Sequence, residues 1–191
     1  MNDSTNAIRH PTLDELEAGL DHIRQSPADD GPLMMIVSRP AVDEREVSAE
    51  GRLDVDVGLV GDSWKDRGSS RTPDGGPNPA AQVTIMNSRA LGLMAQSEER
   101  WRLSGDQLII DIDMSKENLP AGTRLSIGSA VIKVSEIPHT GCAKFANRYG
   151  HDALRFVSTP TAMSMRLRGI NTRVVQSGSI RAGDIVAKLG G

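Results

Sequence analysis

The sequence of 191 residues contains very few aromatic side chains, which make up 3% of the chain. A hydrophobic core must therefore be aliphatic, built from the valine, isoleucine, leucine, methionine and alanine that dominate its 38% hydrophobic content. Proteins that recognise single-stranded nucleic acid stack bases on exposed aromatic rings. The shortage of rings, together with a formal net charge of −3, argues against nucleic acid as a partner.

Cysteine is almost absent as well, because Cys142 is the only one in the chain. A single cysteine excludes an intramolecular disulfide and zinc sites that need several thiolates. The sequence also has no apolar run near the roughly 18 residues of a membrane span, and its polar start lacks the layout of a secretory signal. We therefore expect a cytoplasmic protein without a membrane partner.

The charged residues are unevenly distributed along the chain. Residues 14–62 contain thirteen acidic side chains against four arginines, whereas residues 144–173 contain six cations against one acid, Asp152. The basic segment directly follows Cys142. A cationic neighbourhood around a thiol suits an anionic ligand, but arginines on strand faces can also serve only to solvate them. Composition leaves both interpretations open.

The first 30 residues are predicted to form a tail and an amphipathic helix. Thr12 is a favourable N-cap, and Glu15, three residues later, completes a capping box. The helix has an apolar stripe at helical spacing, formed by Leu13, Leu16, Leu20 and Ile23. Such a stripe indicates that the helix packs on the outside of the main fold.

The remaining residues, 31–191, are predicted to form one domain of short strands. Residues 53–59, for example, alternate leucine and valine with aspartate and glycine, the pattern of a half-buried strand. Gly128 and Ser129 indicate a hairpin turn, whereas residues 65–79 form a long loop rich in glycine, proline and charge. Many short strands with few helices predict a mainly β fold with short helices (α+β), arranged as an antiparallel barrel or sandwich.

The stretch from Ile137 to Gly150 contains the cysteine and reads Ile-Pro-His-Thr-Gly-Cys-Ala-Lys-Phe-Ala-Asn-Arg-Tyr-Gly. Turn residues interrupt an apolar strand here, and a helix that ends at Gly150 is predicted to follow. With Thr140 as its N-cap, this helix would hold Cys142 in its first turn. There, unpaired backbone N–H groups and the helix dipole favour a thiolate.

Charged neighbours strengthen the expectation of a reactive thiol. Lys144 and Arg148 follow in the same predicted helix, and His139 adds positive charge at lower pH. The thiolate is the form that attacks sulfur or binds a metal. The alternative is a small cysteine buried in the core, the commonest fate of a lone thiol. A Cys–His hydrolase has weaker support, because His139 is too near in sequence to be placed as a base.

Downstream of Gly150 the sequence predicts further short elements. We expect a short helical turn capped by Asp152, a break at Thr159 and Pro160, and a strand that begins at Met165.

Three runs of this sequence resemble the MOSC domain family, which is named after the C-terminal domain of molybdenum cofactor sulfurase. The first run comprises residues 128–145, with Gly-Ser-Ala-Val-Ile at its start and Pro-His-Thr-Gly-Cys-Ala-Lys-Phe at its end. The others are Leu-Arg-Gly-Ile-Asn-Thr-Arg-Val-Val at 167–175 and Ile-Arg-Ala-Gly-Asp at 180–184. The resemblance extends over roughly residues 31–188 and is most specific around Cys142.

The resemblance implies a β-barrel with small helices and a functional Cys142, which carries sulfur as a persulfide or ligates molybdenum. Together with the local sequence, it indicates a cofactor-binding set of His139, Thr140, Lys144, Arg148, Arg168, Asn171 and Arg173. Of these, the last three fall in the segment that resembles the anion-handling part of the family's site. Gly61 and Asp62 resemble a family turn that is usually followed by arginine and histidine, which are replaced here by Ser63 and Trp64.

Two functions follow from the resemblance, and an interaction module with a buried cysteine remains as a third alternative. The first is a persulfide carrier, or sulfur transferase, loaded by a cysteine desulfurase partner. It would deliver sulfur to a metal–sulfur centre such as the molybdenum cofactor, in a molybdoenzyme partner. The second is a molybdenum-dependent oxidoreductase that binds molybdopterin and reduces N-hydroxylated substrates. Sulfurases of the family also have a large pyridoxal-phosphate domain; this chain is too short for one, and we identify no pyridoxal-phosphate site.

Overall fold

A computed structural model of the protein describes residues 9–69 and 71–190, so most of the predicted N-terminal tail lies outside the described residues. The helices are α1 (Leu13–Ala18), α2 (Leu20–Arg24), α3 (Ser88–Ala95), α4 (Ala143–Tyr149), α5 (His151–Val157) and α6 (Pro160–Met165). The strands are β1 (Gly31–Ser38), β2 (Glu46–Ser48), β3 (Glu50–Asp54), β4 (Gly58–Leu59), β5 (Val83–Asn87), β6 (Leu108–Ile110), β7 (Arg124–Ile127), β8 (Ala130–Pro138), β9 (Ile170–Gln176), β10 (Gly178–Arg181) and β11 (Ile185–Leu189).

Seven strands close into a barrel, in the order β11-β7-β8-β9-β5-β6-β1, because β1 also pairs with β11. All neighbours are antiparallel except β5 and β6, which are parallel. A parallel pair needs a long crossover connection, and here α3 and a 3-10 segment, Glu98–Ser104, supply it. Strand β2 extends the sheet beyond β1, and β10, β3 and β4 form a second sheet. The prediction of a mainly β barrel with short helices is confirmed.

The barrel is filled by aliphatic side chains, as the scarcity of aromatic residues predicts. The inward-facing residues include Leu33, Ile85, Leu108, Ile132, Val174 and Val186, all at most 1% exposed. The few aromatic residues lie elsewhere: Phe145, Tyr149 and Phe156 are buried in a second cluster beneath the helices. The cysteine helix α4 therefore packs through Phe145 and Tyr149, the two largest of the fully buried side chains.

The N-terminal segment forms two helices where the sequence predicts one. The capping box is present, because Glu15 N donates to Thr12 Oγ1 and Thr12 N donates to Glu15 Oε2. The helix then breaks at Gly19, which separates α1 from α2 and has low helix propensity. Leu16 and Ile23 of the predicted stripe are buried in the helical cluster, so both helices pack on the outside of the barrel.

The structure corrects two predictions downstream of the cysteine. Helix α5 does end before Thr159 and Pro160, as predicted, but these residues also begin the unpredicted helix α6, because Thr159 is its N-cap and proline lacks only an N–H that the first turn leaves unpaired. The strand predicted from Met165 consequently starts later, at Ile170. Asp152 lies inside α5, which begins directly after Gly150.

Close backbone packing at Gly31 leads to a stability prediction. A Cβ atom on Gly31 would lie 1.9 Å from the carbonyl oxygen of Asp111 and 2.8 Å from its carbonyl carbon. This backbone is held in place, because Asp111 N donates to Pro32 O. We expect Gly31→Ala to lower the free energy of unfolding by about 3 kcal/mol, in line with overpacked cores, as measured by urea denaturation.

The matched control for this substitution is Gly190→Ala, since no atom lies within 4 Å of the Cβ position at Gly190. Its effect should stay within about 0.5 kcal/mol. Equal stability of Gly31→Ala and the native chain would show that β1 can move away from Asp111.

Candidate functional site

Cys142 is exposed and lies between β8 and α4. It is the N-cap of α4, with an extended backbone (φ −139°, ψ 173°) and no side-chain capping hydrogen bond. The prediction that Thr140 caps the helix and places Cys142 in its first turn is therefore wrong. The chain stays extended until the cysteine itself, and Gly150 ends the helix as predicted. Because the thiol is exposed, the alternative of a buried core cysteine is also wrong.

Two adjacent cavities lie beside the cysteine and share a wall formed by Pro138, His139, Thr140 and Asn171. The first, of about 270 Å³, lies between this wall and helices α5 and α6; we call it the α6-side cavity. The second, of about 350 Å³, lies between the wall and the long loop; we call it the loop-side cavity. Gly141, which precedes Cys142, lines the α6-side cavity, whereas Cys142 itself is not a lining residue of either cavity. We call the two cavities together the cleft.

Five cationic residues line the cleft. Lys116, Arg166 and Arg168 line the α6-side cavity, and Arg67 and Arg71 line the loop-side cavity. Burial lowers the pKa of Arg166, and burial together with neighbouring guanidinium groups lowers the pKa of Arg67. Arginine nevertheless stays protonated in proteins at neutral pH. The cleft is therefore suited to an anionic ligand.

A buried network of charges lies behind the wall of the cleft. Asp106, whose side chain is fully buried, accepts hydrogen bonds from Arg168 Nη1 and binds His139 Nε2, both at 2.8 Å. Arg168 Nη2 also donates to Ser104 O, and the guanidinium stacks on the Phe145 ring, 4.7 Å from its centroid. Arg168 thus connects the cleft to the hydrophobic contacts of α4.

The protonation states in this network follow from burial and charge. Burial alone would raise the pKa of Asp106, but the charges of Arg168 and His139 outweigh it and hold the pKa well below its usual range. Burial and the Arg168 charge lower the pKa of His139, which Asp106 only partly offsets. At neutral pH His139 is therefore neutral. Its Nε2–H donates to Asp106, which leaves Nδ1 as a hydrogen-bond acceptor.

The lowered pKa of His139 predicts how stability depends on pH. Between this folded-state pKa and the unfolded value near 6.5, the unfolded chain binds more protons, so stability rises with pH. We expect the melting temperature to fall on acidification below about pH 6.5 and His139→Gln to make this decline shallower. The matched control is His22→Gln, which removes an exposed histidine on α2. An unchanged slope in His139→Gln would contradict the assignment.

The structure brings together four of the predicted site residues beside Cys142. His139 and Thr140 form the shared wall, and Arg168 lines the α6-side cavity. Asn171 lines both cavities and donates from Nδ2 to Ile137 O at 3.1 Å. These residues come from the end of β8 and the start of β9, which the barrel places side by side.

The other three predicted residues lie elsewhere. Lys144 is exposed on the first turn of α4. Arg148, nearly two turns beyond Cys142, directs its guanidinium to Leu103 O at 2.8 Å and to Asp43 at 3.6 Å. Arg173 is exposed on β9 and lines a separate groove. Arg148 and Arg173 are therefore not part of the cleft.

Asp62 forms a second buried ion pair that supports the loop-side cavity. Its carboxylate binds Arg39, with Nε to Oδ2 at 2.7 Å and Nη2 to Oδ1 at 2.9 Å. It also accepts from Trp64 N at 2.9 Å and caps the 3-10 turn Ser63–Asp66. The Gly61-Asp62 turn therefore positions Trp64, which lines the cavity.

Sequence reasoning missed five residues of the site, namely Asp106, Arg67, Arg71, Lys116 and Arg166. Asp106 directly precedes the buried strand β6, together with Gln107. A charged residue next to a fully apolar strand is a signal that could have drawn attention to it. The long loop at residues 65–79, which contains Arg67 and Arg71, did carry a signal in the sequence, since loops of this length are often functional.

The family assignment comes from the sequence over the second half of the chain. The MOSC domain profile matches residues 78–187, which is more than half of the protein. The chain belongs to the MOSC domain family. The resemblance seen in the sequence is thereby confirmed, and MOSC domains are associated with the molybdenum cofactor. A comparison with curated protein sequences finds no significant match.

Solved structures show the same fold in other MOSC-like proteins. The YuaD protein from Bacillus subtilis aligns with a TM-score of 0.59 and 14% identity, covering 82% of this chain and 93% of that one. YiiM from Escherichia coli aligns with a TM-score of 0.54 and 16% identity, covering 85% and 70%. At these identities the likeness shows the fold alone. In the part of the chain that the structure describes, no helix is long and apolar enough to cross a membrane.

Proposed function

We propose that this MOSC domain protein carries sulfane sulfur on Cys142. The observation that carries the proposal is an exposed single thiol that directly follows Gly141, a lining residue of a cleft with five cationic residues. The thiol is not used as a cap for α4, and no second cysteine exists in the sequence to form a disulfide with it. A lone thiol of this kind can accept and release sulfur without being trapped by an internal disulfide.

Loading requires a partner that supplies a persulfide, for which a cysteine desulfurase is the proposed donor. The Cys142 thiolate attacks the terminal sulfur of the donor's persulfide. A new S–S bond forms on Cys142, the donor's S–S bond breaks, and the donor cysteine leaves as a thiolate. The donor's thiolate takes up the proton that Cys142 loses, so no external oxidant or reductant is needed.

The cleft supports delivery to an anionic acceptor. Its cations lie on both sides of the wall formed by Pro138–Thr140 and Asn171, where they would attract a phosphate-bearing or sulfide-rich centre. His139 contributes a neutral ring whose Nδ1 can accept a hydrogen bond. Incubation with a cysteine desulfurase and cysteine, followed by mass spectrometry of Cys142, tests the proposal.

A second candidate, a molybdenum-cofactor-dependent reductase, is favoured by one specific observation. Arg168 Nε is buried without a hydrogen-bond partner among the described residues, in a side chain that lines the α6-side cavity. The residues fit a phosphate-bearing pterin: Arg166, Arg168 and Lys116 would hold the anion, and Cys142 would ligate the metal. Bound there, the cofactor would supply two-electron redox chemistry for N-hydroxylated substrates. Within the described residues, no group of three or more histidine, cysteine, aspartate or glutamate side chains is placed to hold a metal ion.

The two candidates differ in what the purified protein contains. Protein from a host that makes the cofactor is assayed for molybdenum and for pterin fluorescence, with Cys142→Ser as the matched variant. Molybdenum that is present in the native chain and lost in the variant supports the reductase. Protein without metal or pterin that still loads sulfur supports the carrier.

A further inference from the structure

A row of three cations crosses the outer face of the barrel. Arg124 of β7 lies directly opposite Lys133 of β8, and Lys133 lies directly opposite Arg173 of β9. Residues paired in this way project from the same face of the sheet, with Cβ atoms about 5 Å apart. All three side chains are exposed. The strand register therefore forms a cationic row, and its ends are about 10 Å apart.

The row lines a groove of about 650 Å³ on this face. The opposite walls are the 3-10 turn Pro79–Ala81 with the preceding Asn78, and the loop at Ala121 and Gly122. The groove adjoins the α6-side cavity across residues 135–137 of β8, but His139 and Asn171 are not among its lining residues. The cations of the groove are all different from those of the cleft, and the following inference does not rest on the proposed function.

The charges in the groove are not balanced. None of the three cations forms a salt bridge within 4 Å among residues 9–69 and 71–190. Glu136 is the one carboxylate that lines the groove, and it too forms no ion pair with the described residues. Like charges directly opposite each other on a sheet are destabilising. A multivalent anion in the groove would relieve this repulsion.

We propose that the groove binds a compact phosphate chain, such as a di- or triphosphate group. The spacing of the row matches several linked phosphates, because each neighbouring strand adds about 5 Å. Arg124 and Arg173 can each bind phosphate oxygens in a bidentate fashion, with Lys133 as a point charge between them. A single small anion such as sulfate contacts only one or two of these groups, so binding should depend on chain length.

The proposal is tested by calorimetric titration of the full chain with inorganic tripolyphosphate, with ATP and with sulfate, at matched ionic strength. Tripolyphosphate should bind at least about tenfold more tightly than sulfate, a difference of about 1.4 kcal/mol. ATP binding more tightly than tripolyphosphate indicates a nucleotide as the source of the phosphates. Equal affinity indicates that the phosphate chain alone is recognised.

Substitutions locate the binding site. Lys133→Gln and Arg173→Gln should each weaken tripolyphosphate binding about tenfold. Two controls remove the same charge elsewhere: Arg52→Gln, at an exposed position of strand β3, and Arg71→Gln, in the loop-side cavity. Without anion, Lys133→Gln should melt at the same temperature as the native chain or higher, which verifies folding. Sulfate binding as tightly as tripolyphosphate would overturn the proposal. So would a loss of tripolyphosphate affinity in Arg71→Gln without such a loss in Lys133→Gln.

Discussion

Replacing Asp106 by asparagine is expected to lower the free energy of unfolding by about 3 to 5 kcal/mol. The carboxylate is fully buried, and its two oxygens bind Arg168 and His139 at 2.8 Å each. Asparagine preserves the shape but removes the negative charge, so the Arg168 guanidinium is left buried without compensation. A buried charge without a partner is among the most costly defects in a folded protein.

Urea denaturation of matched variants measures this effect. Asp152→Asn serves as the control, because Asp152 forms a partly exposed pair with Arg155 at 3.1 Å and should contribute less than about 1 kcal/mol. The double variant Asp106→Asn with Arg168→Met should recover part of the loss, since it removes both members of the pair. Equal losses in Asp106→Asn and Asp152→Asn would show that the network does not stabilise the fold.

The second large effect concerns the thiol itself. Cys142→Ser is expected to abolish sulfur loading by a desulfurase completely, because the sequence contains no other thiol. Serine preserves the exposed position at the start of α4, so the fold should be unchanged in circular dichroism and melting temperature.

A relocated thiol tests whether position matters as well as reactivity. Val42→Cys in the Cys142→Ser background places a thiol at a site that is 79% exposed and outside the cleft. We expect this variant to react with small alkylating reagents but to accept sulfur from the desulfurase far more slowly than the native protein. Equal loading rates would mean that the surroundings of Cys142 contribute nothing.

The sequence predicts the barrel and the strand, turn and helix around Cys142 because these depend on local patterns, although it places the start of the helix two residues too early. Alternation of apolar and polar residues reports which face of a strand is buried, and the aliphatic composition predicts the kind of core. Turn residues at 138–141 and Gly150 define the two ends of the cysteine segment. The family resemblance then predicts Cys142 and Asn171 as site residues, and the local sequence adds His139 as a candidate.

The buried network is not predictable in this way, because its members are far apart in the chain. Asp106 is 33 positions from His139 and 62 from Arg168, and only closure of the barrel brings them together. Conversely, two residues that the sequence groups with Cys142 do not line the cleft. Arg148 is near Cys142 in sequence but lies almost two helical turns away, and the register of β9 places Arg173 opposite Lys133.

The most direct test of the sulfur-carrier proposal is the intact mass of the native protein before and after incubation with a cysteine desulfurase and cysteine. We expect a gain of one sulfur atom, located on the peptide that contains Cys142 and removed by dithiothreitol. A mass that stays unchanged while an established sulfur acceptor is loaded under the same conditions would contradict the proposal. A gain that dithiothreitol does not reverse would contradict it as well.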